Sequence, residues 1–371
     1  MHAILFRSNN ILASRVSKYI DFYKKKNIKY TAVGWDRKCE GLKKENFEFL
    51  KYKAGVNVGG FKAILNHCRW MLFVFKYLLS HRDVSFIHAC DLNSAFPAAI
   101  FKRFCSKKTV LIFDSCDWFS ANFANSKKIA AIFEKMEKFT CNVADELIIC
   151  EKERKEQITF LLKKEPLVLP NIPSIDSSLI ENFNETYKFD NDWPTLAYFG
   201  GFSEDRFQRE LLELVQTEKV NLLIAGFGTK EIEYICEQVD KLDNVKYFGK
   251  VDMKTGLSMS KAADIIYAMY CKVNKNNIYA APNKYYEAMF LGKAIITTKG
   301  TILEDKVLNN SIGYVIEENI EELRTLLNNI TKEDAAVKGH NARLLWEKCY
   351  STYVDNFFEN EYSGVLNKAF S

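Results

Sequence analysis

Residues 281–300 read APNKYYEAMFLGKAIITTKG, and their periodicity changes in the middle. Pro282 restricts the backbone ahead of Asn283, which is expected to cap a helix over KYYEAMFL, with Gly292 placed to end it. The run AIITT that follows is short, apolar and β-branched, as a buried strand is. Lys284 and Glu287 share one face of the helix, three residues apart. Tyr286, Ala288, Met289 and Phe290 crowd the same helix, so the glutamate is expected to be largely buried. A buried carboxylate without a partner is costly, and this favours a ligand over a surface ion pair.

The same alternation extends in both directions. Upstream lie TLAYFG (195–200), NLLIAG (221–226), VKYFG (245–249) and IIYAMY (265–270); downstream lies YVIE (314–317). The first half repeats it with HAILF (2–6), YTAVGW (30–35), FEFLKY (47–52), VSFIHAC (84–90), TVLIFDS (109–115), ELIIC (146–150) and LVLPN (167–171). Amphipathic segments over 13–26, 94–105, 126–141 and 151–163 separate most of these runs. Near-continuous apolar strands divided by helices predict parallel sheets covered on both faces. Residues 172–193 break the rhythm with Pro, Ser, Asn and Asp, as a domain crossing does. The expected fold class is α/β: two Rossmann-like doubly wound domains facing a central cleft, over 1–172 and 173–351. The tail has helical periodicity from 331 and no further strand.

Composition narrows the function classes. With 371 residues, 48% of them hydrophobic, the chain is globular and long enough for two cores. A net charge of +5 spread along the chain does not call for nucleic acid, though it is compatible with an anionic membrane surface. The 10 cysteines form no CxxC pair; Cys68, Cys90, Cys105, Cys116, Cys141, Cys150 and Cys236 fall in apolar segments, as buried free thiols do. The expected location is the cytoplasm, peripheral on the inner face of the cell membrane at most. MHAILFRSNN reads as a first strand rather than a secretory signal, and no run reaches the ~18 apolar residues of a membrane span. Asp190 and Asp192 form a D-x-D, but in the crossing they read as a solvated turn, and no metal site is expected.

Three features of the second half are expected to meet at strand ends. AYFGGFSEDRFQRELLELV (197–215) carries Gly200 and Gly201, whose size lets backbone amides approach a phosphate, and Arg206 near a helix start adds a charge-assisted clamp. LLIAGFGTKEIEYI (222–235) has Gly226 and Gly228, but Glu231 stands where a dinucleotide motif needs its third glycine. The third feature is the helix of Lys284 and Glu287. Its first-turn amides and ammonium suit a pyrophosphate, and Glu287 suits both hydroxyls of a ribose. In the first half, His88 and Asp91 of IHACDLN and Asp114 and Asp117 of FDSCDWF are placed at strand ends, where carboxylates suit sugar hydroxyls and one can act as general base. A hydrogen-bonded core position is an equal reading for His88; Asp117 is preferred to Asp114. Residues 61–79 carry Lys62, Asn66, Arg69 and Lys76 on one stripe of an otherwise apolar helix, read as packed on the sheet in preference to lying in a membrane interface.

Taken in order, the glycine loop with its basic residue, IAGFG, VKYFGKV and PNKYYEAMFLGKAIITT resemble the donor half of GT-B nucleotide-sugar transferases, closest to the large retaining family four. VSFIHACDLNSAFPAAI, VLIFDSCDWF and ADELIICEKERKEQI resemble the acceptor half. The resemblance implies a metal-independent glycosyltransferase without cofactor, whose C-terminal helix, 352–371, packs back on the first domain. Its substrate would be a UDP- or GDP-linked sugar, and its acceptor a hydroxyl of a glycan or lipid-linked glycan in capsule, O-antigen or exopolysaccharide synthesis. It implies that Glu287 binds the ribose, Arg206 and Lys284 neutralise the diphosphate, and Phe248, Gly249 and Lys250 read the base. Gly200, Gly201, Gly226 and Asn283 complete the expected donor set; Asp117, Asp91, Arg206 and Lys284 are the catalytic candidates. Three positions depart from the family: Tyr279 replaces the first glutamate of its E-x7-E motif, Phe202 an arginine, and Cys116 a histidine. A nucleotide-sugar epimerase of the same fold and a non-catalytic nucleotide-sugar or glycan-binding partner remain as alternatives.

Overall fold

The structure is a computed structural model that describes residues 2–54, 60–123, 126–173 and 185–370. Most of the domain crossing, residues 174–184, lies outside the described residues. The chain forms two compact units, Met1–Pro170 with Val354–Ser371, and Asn171–Tyr353.

Unit 1 is built on seven parallel strands: β1 (His2–Phe6), β2 (Lys29–Asp36), β3 (Phe47–Lys51), β4 (Phe86–Cys90), β5 (Val110–Ser115), β6 (Glu146–Ile149) and β7 (Leu167–Val168). Their order is β3-β2-β1-β4-β5-β6-β7, so the direction of winding reverses between β1 and β4. Helices α1 (Ser14–Lys25), α2 (Gly60–Ser80), α3 (Leu92–Phe104) and α4 (Lys127–Val143) fill the crossovers. Side chains alternate across each strand. Ile87 and Ala89 of β4 join the core made with Trp70, Val74 and Leu78 of α2, while Phe86 and His88 face Tyr362. Those α2 residues recur at helical spacing, as the packed-on-the-sheet reading requires. The stripe itself is mixed: Lys62, Arg69 and Lys76 are exposed, with Leu65 and Leu72 among them.

The C-terminal segment completes unit 1 through aromatic packing. Phe358 stacks on Phe22 of α1 at 5.0 Å, and the Tyr362 hydroxyl meets that of Tyr23 at 2.6 Å. Lys25 and Lys26, at the end of α1, are paired with Glu359 at 3.1 and 2.6 Å, which offsets their charge.

Unit 2 repeats the plan with β8 (Thr195–Phe202), β9 (Asn221–Gly228), β10 (Val245–Tyr247), β11 (Ile265–Ala268), β12 (Ala294–Thr298) and β13 (Gly313–Ile316). The order β10-β9-β8-β11-β12-β13 reverses between β8 and β11. The helices are α5 (Gln208–Leu214), α6 (Lys230–Val239), α7 (Met253–Ala262), α8 (Lys275–Ile278), α9 (Asn283–Leu291), α10 (Ile302–Asn309), α11 (Ile320–Asn329) and α12 (Lys332–Leu345). Leu196 and Tyr198 point to one core, Ala197 and Phe199 to the other, so both faces of the sheet are covered.

Several local expectations are corrected. The helix expected over 151–163 is only a 3-10 turn, Lys152–Gln157. Gly200–Gly201 and Gly226–Gly228 lie within β8 and β9 rather than in turns, with Gly200 paired to Gly226. A Cβ on Gly226 would stand 2.0 Å from the Gly200 carbonyl oxygen, so close strand approach requires that glycine. Asn283 opens α9 instead of capping it; the cap is the extended Pro282, without a side-chain bond. Cys68 and Cys105 are exposed, one on the outer side of α2 and one just past α3, whereas Cys90, Cys150 and Cys236 are buried. Asp192 is 98% exposed and paired with Lys332, the solvated turn expected of it. Among the described residues no helix is long and apolar enough to cross a membrane.

Candidate active site

The carboxyl ends of β8 and β11, where winding reverses, are where a doubly wound sheet binds ligands. Helix α9 delivers Lys284 and Glu287 there. Gly292 in the left-handed region (φ 66°) ends the helix, and Arg343 of α12 caps the Phe290 carbonyl at 2.5 Å. Tyr285, Tyr286, Ala288 and Met289 are buried, which fixes the rotation of α9.

Lys284 is half-buried, and its Nζ lies 4.5 Å from the centre of the Tyr198 ring. It also lies against Gly200, where an added Cβ would stand 2.6 Å from it. The φ of 153° at Gly200 is what calls for glycine there, since the lysine tip itself can move aside. Burial lowers the Lys284 pKa to about 8, with Glu287 opposing the shift and Arg206 adding to it. Glu287 is 4% exposed, and burial pushes its carboxyl up against the pull of Lys284. Neither side chain has a hydrogen bond or an ion pair among the described residues.

Arg206 stands over the Tyr270 ring at 4.5 Å. Its Nη1 meets the Asp205 carboxylate at 3.0 Å and Asn277 Oδ1 at 3.3 Å. All its hydrogen bonds among the described residues run through Nη1, which leaves Nε and Nη2 for a ligand. Asp205 is held in turn by Asn274 and Asn277, at 3.3 and 2.9 Å. Burial raises the Tyr270 hydroxyl, with Arg206 opposing the shift and Glu287 adding to it, so both side chains lie near that residue. Sequence reasoning missed Tyr198, Asp205, Tyr270 and Asn277. The cluster NKNN after β11 was the available signal, because amide side chains at a strand end commonly brace a loop.

Among the other donor candidates, Gly201 follows Gly200 in β8, and its carbonyl accepts from the Tyr198 hydroxyl at 2.5 Å. Gly201 has no neighbour close to a would-be Cβ, and the Gly226 amide is used on the Gly249 carbonyl at 2.8 Å. Phe248 packs on Tyr187, Gly249 takes φ 61°, and Lys250 lies over Phe227 at 4.8 Å. These three follow β10, two strands from β8 at the sheet edge.

In unit 1 the four candidates separate. Asp114 is wholly buried and receives Arg15 Nε at 2.9 Å and Nη2 at 2.5 Å, with the Tyr19 hydroxyl at 3.0 Å. Burial alone would raise its pKa, but the Arg15 charge and a bond from His88 hold it well below the usual carboxylate range. His88 is a core histidine, not a residue projecting into a cleft. It is fully buried, with Nδ1 3.0 Å from the Tyr362 hydroxyl and Nε2 3.4 Å from Asp114. His88, Cys90 and Asp114 are the metal-ligand grouping found among the described residues. The Arg15 guanidinium already neutralises the carboxylate, so a cation does not fit there. Asp117, the aspartate preferred from the sequence, has a side chain 65% exposed and paired with Arg154 at 3.1 Å. Asp91 has the environment Asp117 lacks. It sits at φ 63° between β4 and α3, and burial raises its pKa to about 6 against the nearby Arg7 charge.

Residues 180–343 match the family model for glycosyl transferases group 1. That match covers most of unit 2, and the likeness to solved structures gives the whole chain a GT-B fold. Among solved structures, this glycosyltransferase is similar to sucrose-phosphate synthase from Thermosynechococcus elongatus, with TM-score 0.73, 14% identity and 99% of each chain covered. It is similar to Anabaena HepE in complex with UDP-glucose, with TM-score 0.69, 13% identity, and 98% of this chain and 100% of that one covered. It is also similar to WaaG, a glycosyltransferase involved in lipopolysaccharide biosynthesis, with TM-score 0.62, 13% identity, and 96% and 99% covered. No curated protein matches the sequence.

Proposed function

We propose that this glycosyltransferase moves a sugar from a nucleoside-diphosphate sugar to a hydroxyl of a glycan or lipid-linked glycan during surface polysaccharide assembly. The observation that carries the donor reading is the pair of buried Glu287 and half-buried Lys284 at a sheet's reversal point, neither with a hydrogen bond or ion pair among the described residues. A carboxylate so placed is stabilised by ribose hydroxyls, and a half-buried ammonium by a diphosphate. Arg206 offers its free Nε and Nη2 to the same diphosphate, and as the glycosidic bond breaks these cations stabilise the charge on the leaving phosphate. The α9 amides aim their positive dipole ends at it. Unit 2 is thus the donor domain and unit 1 the acceptor domain, with Asp91 the side chain suited to take a proton from an acceptor hydroxyl.

UDP is favoured as the carrier by the likeness to a fold that holds UDP-glucose, and surface polysaccharide by the likeness to WaaG. The retaining family-four resemblance implies that the anomeric configuration is kept, which NMR of the product checks. The exposed Lys62, Arg69 and Lys76 with Leu65 and Leu72 on α2 support a peripheral position on anionic lipid. Failure to cosediment with anionic vesicles at low salt would remove that element. The central test is release or transfer of sugar by the purified chain across a panel of UDP- and GDP-sugars. Turnover of at least one is expected; binding without turnover against all of them overturns the enzymatic reading.

A further inference from the structure

The reversal point of unit 1 lies between β1 and β4, and there the chain sets Arg7, with N–H groups left unsatisfied, near the buried Asp91. Arg7 follows β1 directly. Among the described residues its buried Nε and Nη1 have no hydrogen-bond partner, and its Nη2 reaches only the Cys116 sulfur at 4.0 Å, a weak acceptor. It has no ion pair among the described residues. Beside it Asn93, 3% exposed, donates to Ser8 Oγ at 2.6 Å and faces His67 Nδ1 at 3.1 Å, while its Oδ1 accepts nothing. On the other side Asp117, next to Cys116, holds Nη2 of Arg154. That arginine is 5% exposed, and its Nε and Nη1 also have no hydrogen-bond partner among the described residues.

Native chains seldom bury guanidinium N–H groups unpaired, because each loses its water for nothing. Two such groups lie along the strand ends where a doubly wound sheet receives ligands, and the planar fork of arginine fits a two-oxygen anion. The unused Asn93 oxygen adds an acceptor suited to a hydroxyl on the same ligand. His88 and Asp114, by contrast, are saturated and offer nothing to a ligand.

We propose that the acceptor is an anionic sugar or glycan, whose phosphate or carboxylate is held by Arg7 and Arg154 while Asn93 accepts from one of its hydroxyls. This rests on the glycosyltransferase reading above and names the chemical class of its acceptor. The same anion chemistry could come from the donor diphosphate, and the test separates the two sources.

Full-length protein saturated with UDP is titrated calorimetrically with glucose 6-phosphate, glucuronate and glucose. Binding of either anionic probe, with glucose at least about tenfold weaker, is expected. Arg7→Gln and Arg154→Gln should each weaken the anionic probe about tenfold or more while leaving UDP affinity and the thermal midpoint near wild type, and Arg7→Lys should recover part of the loss. Equal binding of glucose, no binding of either anionic probe at millimolar concentration, or variants that bind like wild type each overturn the proposal. If UDP competes with the anionic probe, the arginines serve the donor instead, which also overturns it. If UDP itself does not bind, the donor reading fails, while the probe titration without UDP still reads the arginine site.

Discussion

Asp114 in unit 1 and Glu287 in unit 2 are both buried carboxylates, exposed by 0% and 4%, yet they stand in opposite conditions. Asp114 is met by Arg15, Tyr19 and His88, which together use its acceptor capacity. Glu287 has one cation nearby and no hydrogen bond among the described residues. A buried charge that is fully met is part of the scaffold; one left unmet stores a cost that a ligand can remove. Burial alone would have ranked the two side chains as equals.

The largest expected effect breaks this contrast directly. Asp114→Asn leaves Arg15 buried without its counter-charge and should cost roughly 3–5 kcal/mol in urea unfolding. Glu287→Gln should leave stability unchanged or raised, yet weaken UDP about tenfold or more through lost charge-assisted hydrogen bonds. Equal destabilisation by the two substitutions would erase the distinction. Because the folded pKa of Asp114 is depressed, its contribution is complete above its unfolded value of ~3.9 and is lost as pH falls through the lower folded value.

A smaller effect sharpens the comparison from the cation's side. Lys284 has its folded pKa lowered to about 8 by burial, against an unfolded value of ~10.4. The unfolded chain then binds more protons between those values, so this residue's contribution makes stability rise with pH across that window. Affinity for UDP should do the reverse, falling as pH rises through about 8 while the ammonium is lost. Lys284→Arg should flatten that fall, since a guanidinium stays charged. Titration of UDP at intervals of pH reads both curves, and a flat wild-type profile would mean the ammonium does not meet the phosphates.

The smallest effect concerns Asp117, exposed by 65% and paired with Arg154. Asp117→Asn should change stability by only ~0–1 kcal/mol, measured by urea unfolding. A loss near that of Asp114→Asn would show that exposure is a poor guide to which strand-end aspartate is structural.

The two parallel sheets were legible because the alternation of apolar runs and amphipathic segments is local. The shared face of Lys284 and Glu287 was legible for the same reason, as was the helix end at Gly292. Errors arose where a local rule met a distant contact. Asp114 reads as a free strand-end carboxylate until Arg15, 99 residues earlier, is folded onto it. His88 reads as available until Tyr362 arrives from 274 residues away. Gly226 reads as a turn glycine, but strand pairing with Gly200 is what excludes a side chain there.

By itself, then, the order of residues determined the secondary elements, their parallel arrangement and the helix face that carries Lys284 and Glu287, since each depends on neighbours within a few positions. Which polar groups are satisfied was decided only by the tertiary structure. A hydrogen-bond partner is selected by proximity in space, and proximity between residues far apart in the chain exists only once the sheets are assembled.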